Sequence, residues 1–248
     1  MNDRNISKEF IFQKIFKKLN SKNRLLQFIR RILHGFLSGF YFSYFHNHFK
    51  SCIRGKAIDK NGNYLPWFSY PIVEILINQD LDKKKILEFG AGCSTIFFLK
   101  KNCEIISYED HPEWYEHVLN ISKNVSKKLN LIHRFVDEND TLKEVNEKKF
   151  DLIIIDGHAR VSILKKVIEM NLLQDDGAII FDNSEGYYFS ETIKEKSFEN
   201  FQKVDFYGHT AGVFRKQCTS VLFFKDSSCF LFDRKIILRS GYEINSPI

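Results

Sequence analysis

A chain of 248 residues with 44% apolar and 15% aromatic content is long enough to bury one large α/β core, which excludes a small cysteine-stapled scaffold. Its net charge of +6 is unevenly spread: residues 1–60 hold 13 Lys/Arg against Asp3, Glu9 and Asp59, a net +10, which leaves −4 for the remainder. Cys52, Cys93, Cys103, Cys218 and Cys229 form no C-x-x-C pair, which argues against a zinc or redox motif and fits a reducing cytoplasm.

The basic segment comes first. Over residues 6–33, Phe10, Ile11, Ile15 and Leu19, then Leu25, Leu26, Ile29, Ile32 and Leu33, recur at three- and four-residue steps with Lys and Arg between them. That spacing predicts amphipathic helix, with a break at Asn20-Ser21. An aromatic run follows, from Phe36 through Phe40, Tyr41, Phe42, Tyr44 and Phe45 to Phe49. Lys and Arg interrupt every apolar run of the first 30 residues, unlike a secretory leader. The lipid-like stretch Gly35 to Phe45 has about half the length of a spanning helix. Such a segment suits an anionic membrane face, a grip on nucleic acid, or a helix pair packed on its own domain or a second subunit of a homo-oligomer. The expected organisation is a basic helical segment over 1–59 and one domain over 60–248, cytoplasmic or peripheral at the inner membrane face.

Asp59-Lys60-Asn61-Gly62-Asn63 is a turn by composition, and Pro66 precedes a helix at about Ser69 to Asn78. Short apolar runs then predict strands at 85–89, 104–109, 130–135, 150–155, 177–182, 201–207 and 218–225. Helical patterns fill most gaps between the first five strands, so the sheet should be parallel with helices on both faces. The last two suit an antiparallel pair joined through Gly208-His209-Thr210-Ala211-Gly212. The expected fold is α/β: a Rossmann-like, doubly wound, mostly parallel seven-stranded sheet with an antiparallel C-terminal strand, preceded by helices.

Chemistry concentrates at the strand ends. In Glu88-Phe89-Gly90-Ala91-Gly92-Cys93-Ser94-Thr95 an apolar strand closes on an acid, and Gly-x-Gly then turns into a helix whose first amides are free. Glu88, Phe89, Gly90, Ala91, Gly92, Ser94 and Thr95 are the expected cofactor cradle. A carboxylate at Glu88 suits the ammonium of a methionine moiety and would repel pyrophosphate. Thr95 stands where a dinucleotide fingerprint has its third glycine. Both features favour S-adenosylmethionine over NAD. Glu109 ends the next strand, 19 residues after Gly90, where a carboxylate can accept both ribose hydroxyls; Asp110 competes for that role. Asp137 and Glu138 fall where a loop can touch adenine. Asp156 ends the fourth strand, and Asp182-Asn183 end the fifth. Those three side chains either ligate a hard divalent cation such as magnesium, or Asp156 caps a loop or touches the cofactor while Asp182-Asn183 form a turn. His158 is the first candidate for general base, with Asp156 beside it. Trp67, Tyr70, Tyr187 and Tyr188 either wall an acceptor pocket or pack in the core.

On these motifs the segment from about 62 to 225 resembles class I S-adenosylmethionine-dependent methyltransferases. Asp156 and Asp182-Asn183 are similar in register to the metal ligands of the small-molecule O-methyltransferases acting on catechol and caffeoyl-CoA. That group carries a lysine three positions after the first aspartate; here the position is Ala159, flanked by His158 and Arg160. A closer likeness is to uncharacterised bacterial methyltransferases. They share Gly62-Asn63-Tyr64-Leu65-Pro66-Trp67-Phe68-Ser69-Tyr70-Pro71, the turn from Asp182 to Glu185, and the strand from Thr219 to Phe223. The resemblance implies S-adenosylmethionine as cofactor and O-methylation of a small-molecule or glycan hydroxyl. The alternatives are a nucleic-acid methyltransferase, a non-catalytic nucleotide-binding module and an NAD-dependent oxidoreductase. The acidic body and the lack of an Asn-Pro-Pro-Tyr-type motif disfavour nucleic acid.

Overall fold

A computed structural model describes residues 24–125, 128–137, 139–145 and 148–232. The predicted helix over residues 6–23, its break at Asn20-Ser21, and Glu138 lie outside the described residues. All seven predicted strands are present: β1 (Lys85–Phe89), β2 (Glu104–Glu109), β3 (Leu129–His133), β4 (Phe150–Ile155), β5 (Leu173–Asp182), β6 (Phe201–His209) and β7 (Lys216–Phe224). They form one sheet in the order β3-β2-β1-β4-β5-β7-β6. The first five run parallel, and β7 lies antiparallel between β5 and β6. This is the expected α/β doubly wound sheet. β5 begins four residues earlier than the apolar run indicates, because Leu173 pairs with Phe150 before a register shift carries the ladder to Leu152↔Ala178.

Strand alternation divides the core into two layers. Ile86, Ile105, Leu152, Ile154, Ala178, Ile180 and Val221 point to one face. There they meet α3 (Tyr70–Asn78), α4 (Cys93–Lys100) and α5 (Pro112–Ser122) through Ile72, Leu76, Ile96, Phe98 and Val118. Leu87, Phe89, Tyr108, Ile153, Ile155, Ile179 and Phe181 point to the other face. They pack on α6 (Arg160–Glu169) through Ile163, Leu164 and Val167, and on α7 (Tyr187–Thr192) through Phe189. Both faces of β4 are buried, hence its run of Leu152, Ile153, Ile154 and Ile155.

The N-terminal part differs from the sequence expectation. One helix, α1 (Arg24–Phe45), runs unbroken through the aromatic stretch, since Phe36 and Phe40 continue the three- and four-residue spacing of Ile29, Ile32 and Leu33. A short α2 (His48–Arg54) follows and closes on Gly55 in the left-handed region (φ 57°). Ser51, Ala57 and Ile58 are buried, so the chain enters the core from α2 onward. Among the described residues no helix is long and apolar enough to cross a membrane.

The Pro-Trp-x-x-Tyr-Pro stretch serves this packing. The Trp67 indole donates to the Ala211 carbonyl (2.6 Å), and the Ser69 hydroxyl donates to the Phe206 carbonyl (2.8 Å). Tyr70 is buried, its hydroxyl 3.2 Å from His48 Nδ1. Trp67 and Ser69 therefore tie the β6–β7 hairpin to the start of α3, and Tyr70 packs on Phe42, His46 and His48 of the N-terminal helices and their turn. Tyr187 and Tyr188 are exposed.

Candidate functional site

β1 pairs with β2 on one side and β4 on the other, so the direction of winding reverses between β1 and β4. In open α/β sheets the crevice beyond the carboxyl ends at this point takes the ligand. A larger hollow of about 710 Å³ lies at the opposite end of the strands, by Lys85, Glu104 and Lys149, away from the motif residues.

Two glycines set the crevice floor. Gly90 has φ +97°, and a Cβ there would lie 2.6 Å from the Gly157 nitrogen. Only a residue without a side chain fits both the angle and the contact. The β1 and β4 loops are thus in backbone contact, with the Asp156 amide donating to the Phe89 carbonyl (2.8 Å). Gly92 opens α4, and its amide donates to Thr95 Oγ1 (2.8 Å). The Trp114 indole donates to the Ala91 carbonyl and fixes the loop from above. Trp114 has no signal in the loop motif itself; an indole one strand and one turn later is not readable as a loop anchor.

Glu88 departs from its expected place. It is 0% exposed, with Ser94 Oγ donating to Oε1 (2.6 Å), and Thr95 Oγ1 and Ser107 Oγ to Oε2 (2.6 and 2.7 Å). Alternation on β1 points Glu88, like Ile86, toward α4 and under the loop. Glu88, Ser94 and Thr95 are therefore corrected from ligand contacts to a buried brace that shapes the Gly90–Gly92 turn. Phe89 and Ala91 side chains are buried as well, and their carbonyls accept the Asp156 amide and the Trp114 indole. Burial pushes the Glu88 carboxyl up to about 7; the three hydroxyls oppose that rise and the Glu109 charge adds to it.

Glu109, the last residue of β2, is 7% exposed. Its Oε1 accepts the His111 amide (2.9 Å). Burial raises its pKa, the His111 and Ala91 amides work against the rise, and Asp110 adds to it. Asp110 points elsewhere: its Oδ2 lies 2.7 Å from His158 Nδ1. This pair bridges a small hollow of about 20 Å³ bounded by Gly90, Tyr108, Phe135 and Gly157. The His158 side chain is 71% exposed on the crevice edge, held there by Asp110. His158 therefore lies on the β2 side of the crevice, beside the ribose candidate, instead of at the β4–β5 end. Asp137 accepts the Asn139 amide (2.8 Å), a local turn.

The β4 and β5 ends meet through Arg160, to which sequence reasoning gave no role. Its Nη1 donates to Asn183 Oδ1 (2.7 Å) and the Asp182 carbonyl (2.7 Å). Its Nη2 donates to the Asp156 carbonyl (2.9 Å) and lies 3.0 Å from Asp156 Oδ1. Its Nε donates to the Gly157 carbonyl (2.9 Å). Asp182 is buried and accepts Thr219 Oγ1 (2.5 Å). Asp156, Asp182 and Asn183 do converge, as the sequence predicts, but on a guanidinium. The set does not fit a divalent cation, because the cation among these oxygens is Arg160. Burial and the Asp182 charge hold the Asp156 carboxyl well above its ordinary range, against the pull of Arg160. Burial lifts Asp182 to about 6, opposed by Thr219 and Arg160. The one signal in the sequence was an arginine four residues after Asp156, the residue that opens α6.

No protein-family model matches the chain, and no curated protein matches its sequence. Solved structures match its shape. Cofactor-bound Rv0187 from MTB superposes with a TM-score of 0.52 at 15% identity, over 66% of this chain and 85% of that one. The O-methyltransferase TomG from Streptomyces achromogenes, in complex with SAM, gives 0.49 at 13% identity over 62% and 79%. The SAH-bound methyltransferase PaMTH1 from Podospora anserina gives 0.46 at 21% identity over 62% and 76%. The likeness to Rv0187 bears on the fold alone: a seven-stranded mixed sheet of Rossmann-like architecture with an antiparallel β7.

Proposed function

We propose that the chain binds S-adenosylmethionine beyond β1, β2 and β4 and transfers its methyl group to a hydroxyl of a small molecule or glycan. The observation that carries this reading is a glycine cradle set beside a strand-end carboxylate. Gly90, in the left-handed region and pressed on the Gly157 backbone, turns the chain sharply at the switch point between β1 and β4, and Glu109 stands at the end of the adjacent strand as acceptor for a ribose diol. The braced turn at Glu88 and Thr95 holds the cradle without a third glycine. When bound, S-adenosylmethionine supplies a methyl group on a cationic sulfur and departs as S-adenosylhomocysteine.

The residues then divide the work. Gly90 and Gly92 position the donor, and Glu109 anchors its ribose. His158 leaves Asp110 and folds over the adenosine. Asp156 takes the proton from the acceptor hydroxyl as the oxygen–carbon bond forms, burial having raised its proton affinity above that of an ordinary carboxylate. Arg160 keeps Asp156 aimed at the crevice and supplies the local positive charge. Alignment of donor and acceptor contributes the largest share of such a displacement.

Calorimetric titration with S-adenosylhomocysteine, NAD and ATP tests the cofactor. S-adenosylhomocysteine should bind, and Glu109→Ala should weaken it roughly ten- to hundredfold, the loss of a charge-assisted hydrogen bond. Binding of NAD in its place overturns the reading; unchanged affinity in Glu109→Ala overturns the ribose assignment alone. Because Arg160 supplies the cation, methyl transfer is expected to survive exhaustive EDTA treatment. An absolute need for added magnesium would contradict that.

A further inference from the structure

Three elements outside the crevice expose apolar side chains next to basic ones. The first is α1, where Ile29, Ile32, Leu33, Phe36 and Phe40 share one face and are all exposed. Its last turns meet the domain, through the Phe42 ring 5.6 Å from Tyr70 and 5.7 Å from His209. The second is α2, where Phe49 and Ile53, one turn apart, are exposed beside Lys50 and Arg54. The third is the β6–β7 loop, where Phe214 is 96% exposed and followed by exposed Arg215 and Lys216. This loop abuts α2: a Cβ on Gly212 would lie 2.9 Å from the Ser51 carbonyl carbon. The charge is one-sided. Between Glu9 and Asp59 the chain has ten Lys/Arg and no Asp or Glu.

We infer that α1, α2 and the Phe214 loop together dock the protein on an anionic lipid surface. A helix of 22 residues, about 33 Å long, can lie flat in a bilayer interface with its apolar face among the acyl chains. Arg30 borders that face and Arg24 and Arg31 lie behind it, so the headgroup contacts nearest the bilayer fall to Lys50 and Arg54 of α2 and to the Phe214 loop. Phe214 with Arg215 and Lys216 is a second, separately placed wedge of the same chemistry: an aromatic to insert and cations for phosphate. A second copy of the chain fits this surface poorly, since a symmetric contact sets the patch against itself and brings like charge against like with no acid to pair. Nucleic acid would use the cations and leave the phenylalanines and isoleucines in water. The inference stands independently of the methyl-transfer reading.

Vesicle co-sedimentation of the full chain tests it, with phosphatidylglycerol-containing against pure phosphatidylcholine vesicles, at low and high salt. Binding should favour the anionic vesicles by about tenfold or more and fall with salt. Phe36→Asp with Phe40→Asp should abolish it, and Phe214→Ser should weaken it several-fold, with circular dichroism unchanged since all three side chains are in water. Equal or absent binding to both vesicle types overturns the proposal. So does a lipid-free dimer in sedimentation velocity that Phe36→Asp disperses, because the apolar face would then belong to a second copy.

Discussion

Arg160→Met is expected to lower the unfolding free energy by about 3 kcal/mol at neutral pH, and by much less near pH 5. Methionine keeps the length of the side chain and removes every donor. Asp156 then faces Asp182 without the guanidinium at 3.0 Å, and Asn183 Oδ1 loses its partner. Stranding the acidic side of a buried ion pair costs about 3–5 kcal/mol, and the lower end applies because the arginine side chain is 25% exposed. The pH dependence follows from linkage. A carboxyl whose folded pKa is raised gives its full stability below its unfolded pKa and loses it as pH rises through the folded one. Both carboxyls already stand high, and without Arg160 they rise further. The deficit therefore grows with pH. Urea titrations at two pH values measure it, and a deficit that is the same at both would mean that Arg160 acts through packing and not through charge.

The second large effect belongs to Glu88. Its carboxyl titrates at about 7 in the folded chain against 4.5 as the ordinary value. Its contribution is present below pH 4.5 and lost as pH rises through about 7, a span worth about 3 kcal/mol. Glu88→Gln keeps the shape and removes the titration, so the fall in stability between those limits should flatten by that amount. Asp156, Asp182, His46 and His48 are shifted too, so the difference between parent and variant is the diagnostic quantity. Parallel stability–pH curves would show that Ser94, Thr95 and Ser107 offset the burial and keep the folded carboxyl at its ordinary value.

The strands were legible because β4 and β5 are buried on both faces and read as unbroken apolar runs, and the Gly90–Gly92 turn because glycine there is a steric necessity. Glu88 was misread for a reason present in the sequence. Counted in steps of two, it shares a face with Ile86, and the hydroxyls of Ser94 and Thr95 lie in the first turn of the helix above that face. Its identity as an acid drew more weight than its parity. The convergence of Asp156, Asp182 and Asn183 was also visible, because strand carboxyl ends meet at one edge. What fills the space between them was not, since it depends on the direction of a long side chain leaving α6. The continuity of α1 was hidden by Gly35 and Gly39, which lower helix propensity without forbidding it.

The place of β7 has a consequence for synthesis. β5 is complete once residue 182 has left the ribosome, but its outer neighbour is β7, not the earlier-made β6. Until Lys216–Phe224 emerges, the β5 edge at Ile179, Ile180 and Phe181 stands open, and β6 has no partner through which to join the sheet. An open apolar edge is a template for pairing with another nascent chain. The Asp182–Thr219 hydrogen bond cannot form in that interval either, so the oxygens around Arg160 are assembled only after the sheet is closed from its far side.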